Sequence, residues 1–382
     1  MTTTAKPKLS SQPLSKQGVF LFGLVILTVL FGLAMVGSAS AVDAYKTSEN
    51  AAATLIDQAI FAGLGLVAML VASRLPVSLF RRFAMVYLYA WLGVQLMTVL
   101  FGVEVNGNKN WLNLGFAQIQ PSEFLKLALI IGLAHLLAQL GSSSEQDRGI
   151  WVMVFGYSAA ALFLVALMGR DMGTGVVMAI FLMGMYLFAG MRWVNWLLLG
   201  SVGLIAAASL IWMSPSRRIR FEAWLFPDNA DPMGVRWQFE NGTYALASGG
   251  IFGTGLGRSR LKWSWIPEVE NDFIFAVIGE ELGLLGAMVV ILLFFLIGIT
   301  MFAIARNQTN AFSRNIVVGV MIWIVLQAFV NIGVVLGVFP VLGVPLPMIS
   351  AGGSSLISTM AAIGVVLAVE RDRVSHLGRR SR

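Results

Sequence analysis

An all-α polytopic membrane protein of ten transmembrane helices, with one long extracytoplasmic loop between the seventh and eighth, is the fold class this sequence predicts. Three observations carry that expectation. Of 382 residues, 58% are hydrophobic and 12% charged, and the mean hydropathy is +0.81, which leaves too little polar surface for a soluble domain. Apolar stretches that cross, or nearly cross, a hydrocarbon core of about 30 Å recur ten times along the chain. Basic residues mostly flank those stretches, which is how membrane topology is written.

Taken in order, residues 1–18 form a polar arm that turns apolar from Val19. It lacks a small-residue cleavage signature behind a short apolar core, so it leads into a retained first helix. The expected spans are 19–37, 56–73, 83–101, 124–140, 150–168, 172–190, 194–213, 273–304, 316–338 and 355–369. Residues 19–369 make one membrane domain, 214–271 is its long extracytoplasmic loop, and 370–382 is a basic cytoplasmic tail. There is no fixed-period repeat and no linker that separates a second domain.

An even number of spans puts both termini on one side. Fifteen basic residues fall on that side and four in the opposite short segments; the other seven lie in the long loop, which does not vote reliably on orientation. The termini are therefore expected in the cytoplasm. A net charge of +7 reflects this flanking pattern, so no nucleic-acid partner is implied. The absence of cysteine removes disulfides, thiol catalysis and Cys-ligated metals. The two histidines, His135 and His376, do not make a multi-histidine metal site by themselves.

Under this topology four motif-like stretches meet on the outer face. NGNKNWLNLGFAQIQPSEFLKLAL, after the third span, reads as a structured interfacial loop that opens the fourth helix at Pro121, with Ser122 at its cap and Glu123 at the positive end of the dipole. Glu123 and Lys126, three apart, either bind substrate or pair at the membrane surface. GRDMGTG at 169–175 carries Arg170 and Asp171, either as site residues or as a tight turn with a local ion pair. GTGLGRSRLKWSWIPEVENDFIFAVIGEELGLLG at 253–286 holds Arg258, Arg260, Lys262, Glu268, Glu270 and Asp272 before an apolar run containing Glu280 and Glu281. No Gly-Lys-Ser/Thr follows its glycines and no strand precedes them, so they suit flexible backbone near a bulky ligand better than a phosphate cradle. PVLGVPLPMISAGGSS at 340–355, which includes Ser354, reads as a stiff re-entrant segment, tolerated at membrane depth only where protein or a cavity satisfies its backbone.

Carboxylates, arginines and glycine-rich loops on one membrane face suit a substrate with a lipid tail, a phosphate head and reactive hydroxyls. An acid at helix depth is costly, so Asp272 is expected where water meets bilayer, lifted by burial toward the pKa of a general base.

At these residues the sequence resembles the SEDS family of FtsW, RodA and SpoVE proteins, over about Gly32 to Glu370. QPSEFLKLAL, DMGTG, GGIFGTGLGRS, the PE pair before DFIFAVIGEELGLLG, and PLPMISAGGSS stand in the family's order. FGLAMVGSAS and VEVNGNKNWL look closer to the division subfamily than to the elongation one. The resemblance implies peptidoglycan glycosyltransfer from lipid II outside the membrane, with a class B penicillin-binding protein and other divisome membrane proteins as partners. It makes Asp272 the base that takes the proton from the acceptor's 4-hydroxyl in a single inversion, without a covalent glycosyl enzyme. The leaving pyrophosphate requires positive charge, from Arg258, Arg260 and Lys262 or from a divalent cation, Mg or Mn; no other cofactor is expected. The chain departs from the family's common pattern at Asn110, beside Lys109, at Gly169 and Arg170, at Glu270 and at Ala351. Arg170 or Lys109 is the candidate to replace the family's missing arginine. A lipid II flippase and a scaffold without chemistry of its own fit the same membrane features. In a flippase Glu280 and Glu281 would form a proton path; in the polymerase they pack helices or line a cavity.

Overall fold

The computed structural model describes residues 14–380 apart from Asn106, Leu114 and residues 116–117, 142–143, 227–233 and 262–268; for 144–145, 216, 235, 239 and 376–380 it describes the backbone alone. The helices are α1 (Lys16–Ser48), α2 (Ala53–Arg74), α3 (Val77–Phe101), α4 (Pro121–Leu137), α5 (Ser144–Leu162, continued by a π-helical turn, Phe163–Met168), α6 (Met172–Phe188) and α7 (Trp193–Trp212). They continue as α8 (Pro215–Leu225), α9 (Val235–Gly249), the single turn α10 (Val269–Asp272), α11 (Ile274–Arg306), α12 (Ala311–Val335) and α13 (Gly353–Arg380). Breaks fall where the local chemistry demands them. Ser15 caps α1 by accepting from Gly18 N–H at 3.0 Å, Asn310 caps α12 through Phe312 N–H at 3.0 Å, and prolines 121 and 215 open α4 and α8.

The protein is a polytopic membrane protein. Among the described residues eight helices are long and apolar enough to cross a bilayer. The two other expected spans coincide with α4 and α6, each of 17 residues, at the short end of what a bilayer requires. Lys16 to Gln17 and the end of α13 lie at the same end of the bundle: Asn307 donates to Gln17 Oε1 at 3.3 Å and Gln308 to Glu370 Oε2 at 3.3 Å.

Two stretches expected as loop are built structure. Residues 103–119 form a three-stranded antiparallel sheet, β1 (Val103–Val105), β2 (Asn108–Asn113) and β3 (Gln118–Ile119), in the order β1-β2-β3, with Trp111 opposite Val103 and Leu112 opposite Ile119. Gly107, at φ 82°, makes the tight connection; Asn-Gly between strands is a hairpin signal. The long loop contains α8 and α9 and ends in α10, and α9 packs along α11.

The core is asymmetric. α4 is enclosed almost throughout, and α12 and α13 are the next most buried, whereas α7 has no buried residue. α13 runs along α2, α11 along α12 and α1, and α12 also meets α6 and α4. Charged side chains on α4 therefore face protein rather than lipid, the condition under which such residues persist at membrane depth.

α11 is broken at Gly283, which takes φ 69° and ψ −165°. The turn after α9 lies against the break: Leu284 N–H donates to Gly250 O at 2.9 Å, and the Glu280 and Glu281 carbonyls accept from Thr254 and Gly255 N–H at 2.9 and 3.0 Å. A Cβ on Gly283 would run into the Gly253 nitrogen and the Ile251 carbonyl, and one on Gly253 into the Glu281 carbonyl. These glycines serve a backbone-to-backbone crossing, not a mobile approach to a ligand. Gly283→Ala should accordingly destabilise the protein by about 2 kcal/mol or more, read as a lowered midpoint in thermal unfolding of the detergent-solubilised chain, whereas Gly63→Ala, with nothing within 4 Å of its added Cβ, should not.

Candidate active site

Phe273 interrupts the helix between α10 and α11, and other segments satisfy the last three carbonyls of α10. Ala351 N–H donates to Glu270 O at 3.0 Å, Ser350 Oγ to Asn271 O at 2.5 Å, and Asn331 Nδ2 to Asp272 O at 2.9 Å. The turn is thus hung from the non-helical 340–352 segment and from α12. The Asp272 side chain is half-buried and its Oδ2 lies beside Gly343, where an added Cβ would sit 3.6 Å away.

That segment is itself held by buried amides. Asn331 Nδ2 also donates to Val344 O at 2.7 Å, and Gln327 Nε2 to Pro345 O at 3.0 Å. Gln58, on α2, clasps the far side, donating to Ser350 O and accepting from Gly352 N–H, both at 3.1 Å. Leu346 N–H reaches Ser350 Oγ at 2.8 Å. Met348 takes a left-handed φ of 63° against Gly32 of α1, where a Cβ would come 2.6 Å from the Met348 carbonyl.

Gln327 connects this segment to α4. Its Oε1 accepts from Lys126 Nζ at 3.0 Å and from Trp323 Nε1 at 2.8 Å. Lys126 Nζ lies 2.8 Å from Glu123 Oε1 and 4.7 Å from the centre of the Trp323 ring. Both members of the pair are buried, Glu123 at 2% and Lys126 at 1% exposure, so the surface ion pair is excluded. They form an enclosed pair that joins the first motif to the fourth. One residue before α4, Gln120 N–H donates to Ser354 Oγ at 3.0 Å and Gln120 Nε2 to Asp171 Oδ2 at 3.1 Å.

Asp171 caps α6, accepting from Thr174 N–H at 2.9 Å and Thr174 Oγ1 at 2.8 Å. Burial pushes its carboxyl up, against the pull of those two bonds. The π-helical turn delivers it there: Gly169 N–H reaches back to Leu164 O and Asp171 N–H to Val165 O. Arg170, at φ 60°, points outward and pairs with Glu104 at 3.7 Å, both largely exposed. Arg217 donates to the Arg170 carbonyl at 3.1 Å, its pKa lowered by burial and by Arg170. Lys109 Nζ donates to Leu100 O at 3.0 Å, and its N–H to Gly169 O at 2.9 Å. Arg170 and Lys109 therefore belong to the sheet edge and make no bond to the Asp272 turn.

Of the five positions that the resemblance marks as departures, four touch in two pairs, and the fifth, Arg170, pairs with Glu104. A Cβ at Gly169 would collide with the Asn110 side chain, and Glu270 O accepts from Ala351 N–H. The residues at 110 and 169 are thus matched in space, whereas the contact between 270 and 351 is backbone to backbone.

Arg258 and Arg260 are exposed, and among the described residues no hydrogen bond or ion pair joins their side chains to the Asp272 turn. Their loop is fastened from behind. Glu280 accepts from Ser259 Oγ at 2.5 Å and Arg260 N–H at 3.0 Å, and Glu281 from Ser259 N–H at 3.2 Å and Ser38 Oγ at 2.6 Å. Lys262 and Glu268 lie outside the described residues. Among the described residues no three His, Asp or Glu side chains come together to hold a metal ion. Gln58, Gln327 and Asn331 were not anticipated from the sequence; the available signal was an amide four residues from another amide in an otherwise apolar helix.

Fold and site together define an integral membrane protein with a buried polar centre at the end of its bundle remote from the chain ends. The family model described as "Cell cycle protein", covering FtsW, RodA and SpoVE, matches residues 19–375, and the chain belongs to that family. It is 36% identical to stage V sporulation protein E of Bacillus subtilis over 353 residues, covering 91% of this chain and 96% of that one. To the probable peptidoglycan glycosyltransferase FtsW of Nitrosococcus halophilus it is 37% identical over 369 residues, 95% of each. Among solved structures it superposes on a chain of a peptidoglycan synthase complex with a TM-score of 0.76 at 29% identity, covering 93% of this chain and 98% of that one. For the rod shape determining protein RodA of Thermus thermophilus the TM-score is 0.70 at 28% identity, with 93% and 96% covered.

Removing the cation from the enclosed pair should be expensive. Lys126→Met leaves the Glu123 carboxylate buried without its partner and should cost about 3–5 kcal/mol. Glu123→Gln combined with Lys126→Met should recover most of it, as a double-mutant thermal-unfolding cycle would read.

Proposed function

We propose that the chain is a peptidoglycan glycosyltransferase that polymerises lipid II, the undecaprenyl-pyrophosphate-linked disaccharide peptide, into glycan strands. The reaction takes place at the outer face of the cytoplasmic membrane, for septal synthesis in division. The observation that carries this reading is that hydrogen bonds link residues of all four motifs, and that the last of these motifs holds the turn that ends in the half-buried Asp272. The names of the FtsW relatives and their identity over nearly the whole chain support it.

In this mechanism Asp272 accepts the proton of the acceptor's 4-hydroxyl as that oxygen attacks the anomeric carbon of the donor strand. The new C–O bond forms on the face opposite the leaving group, and the bond to the undecaprenyl pyrophosphate breaks with its electron pair. A single displacement inverts the anomeric centre and needs one base. Arg258 and Arg260, exposed on a loop fixed at its base, and Lys262 beside them supply charge for the departing pyrophosphate. Both termini face the cytoplasm. A class B penicillin-binding protein is the partner that crosslinks the strand, within a set of divisome membrane proteins. The structural match to a peptidoglycan synthase complex supports that assignment. Glu280 is bonded by the loop it anchors and Glu281 by that loop and by Ser38 of α1, which favours polymerisation over a transport reading that needs them as a proton path.

Two measurements test this. Asp272→Asn in purified protein with its partner should lower glycan-strand formation from labelled lipid II by at least about 100-fold while leaving the melting temperature unchanged; undiminished synthesis would remove the catalytic assignment. The chain contains no cysteine, so Arg258→Cys gives a unique label. A membrane-impermeant maleimide should modify it in intact spheroplasts, and labelling only after permeabilisation would reverse the orientation.

A further inference from the structure

Three side-chain amides clamp the 340–352 segment, but one of them also grips the catalytic turn. Asn331 is 1% exposed and spends both hydrogens of its Nδ2 on carbonyls of different segments, Asp272 at 2.9 Å and Val344 at 2.7 Å. Its Oδ1 is buried with no partner. Leaving an acceptor unpaired inside a protein is unfavourable, and a residue chosen only for stability would avoid that. Four residues earlier on the same face, Gln327 takes Lys126 and Trp323 on its oxygen and gives its N–H to Pro345. The two amides hold adjacent carbonyls, Pro345 and Val344, so the enclosed Glu123–Lys126 pair and the Asp272 carbonyl are tied to the same stretch of the segment.

We propose that Asn331 is a positioning residue for catalysis: its amide fixes the Asp272 turn against the segment that bears Gly343, and so sets where the carboxylate stands. This rests on the reading of Asp272 as the base. Gln58 provides the contrast, because it clamps the same segment through Ser350 and Gly352 without touching α10. The amide donor is the feature that matters. A leucine at 331 has similar bulk and no hydrogen to give, and the freed turn would drift by a fraction of an ångström to an ångström, enough to cost about 100-fold in rate.

The test uses full-length protein with its transpeptidase partner and labelled lipid II. Asn331→Leu should lower kcat by about 10- to 100-fold with KM within about threefold. Gln58→Leu, matched in its loss of thermal stability, should lower kcat by no more than its loss of folded protein. Adding Asn331→Leu to Asp272→Asn should lower the residual rate no further, since a residue that acts through Asp272 has nothing left to position. Full kcat in Asn331→Leu, or equal losses in Asn331→Leu and Gln58→Leu, would overturn the proposal. Where Asn331→Leu does not fold, Asn331→Ser takes its place: one remaining donor should give an intermediate kcat, and a full rate again refutes the role. If Asp272→Asn is itself active, the base assignment fails. If Asp272→Asn is dead and Asn331→Leu is fast, only the positioning role fails.

Discussion

A single helical turn, set off from α11 by the break at Phe273, is what the polar half of this protein is built to hold. The carbonyls of Glu270, Asn271 and Asp272 are completed by other segments, and in a membrane protein an orphaned carbonyl is a large penalty. The solution uses the backbone of Ala351, the hydroxyl of Ser350 and the amide of Asn331. That choice makes the 340–352 segment and α12 obligatory neighbours of α10. The segment, also non-helical, then needs its own partners, and Gln58, Gln327 and Asn331 supply them. Each unsatisfied backbone group recruits the next side chain inward, until the bonds reach the Glu123–Lys126 pair on the most enclosed helix.

The pair is stable there for the same reason. Two opposite charges in a low-dielectric interior cost several kcal/mol each unless every lone pair and proton is used. Lys126 finds a carboxylate, an amide oxygen and an indole face, and Glu123 finds Lys126 with Ser358 at 3.5 Å. Glu280 and Glu281 follow the same logic on α11. Their carboxylates collect N–H and hydroxyl donors from the loop and from Ser38, so the loop bearing Arg258 and Arg260 is rigid at its root and open at its tip.

Much of this was legible in the sequence. Ten apolar stretches mark the helices because a bilayer demands about 20 apolar residues in a row, and each falls on a helix of the structure. The four motifs stand out because Gly, Pro and charge are conspicuous against such a background, and the structure joins residues from all of them through hydrogen bonds. What could not be read was pairing. The sheet at 103–119 has strands of two to six residues, too short for alternation to register, although Asn106-Gly107 announced a hairpin. Glu123 and Lys126, three apart at a helix start, look alike on a surface and in a core; burial depends on which helices surround α4. Gln58, Gln327 and Asn331 are neutral residues in apolar runs, and only the partner segment gives them a meaning. Asn110 and Gly169, read separately as departures, become one fact when the side chain of one fills the space left by the other.

α7, with none of its residues enclosed, has a consequence for the lipid rather than for the protein. Its two ends are tryptophans, Trp193 and Trp212, 67% and 62% exposed, and the guanidinium of Arg218 lies 5.0 Å from the Trp212 ring. At 1.5 Å per residue they stand about 28 Å apart along the axis, close to the thickness of a hydrocarbon core, and indoles settle at the headgroup boundary on either side. Held only along one side, by α6 and by α8, this helix meets a thinner bilayer by leaning over and a thicker one by standing upright. Its tilt is thereby a gauge of the membrane in which the rest of the bundle works.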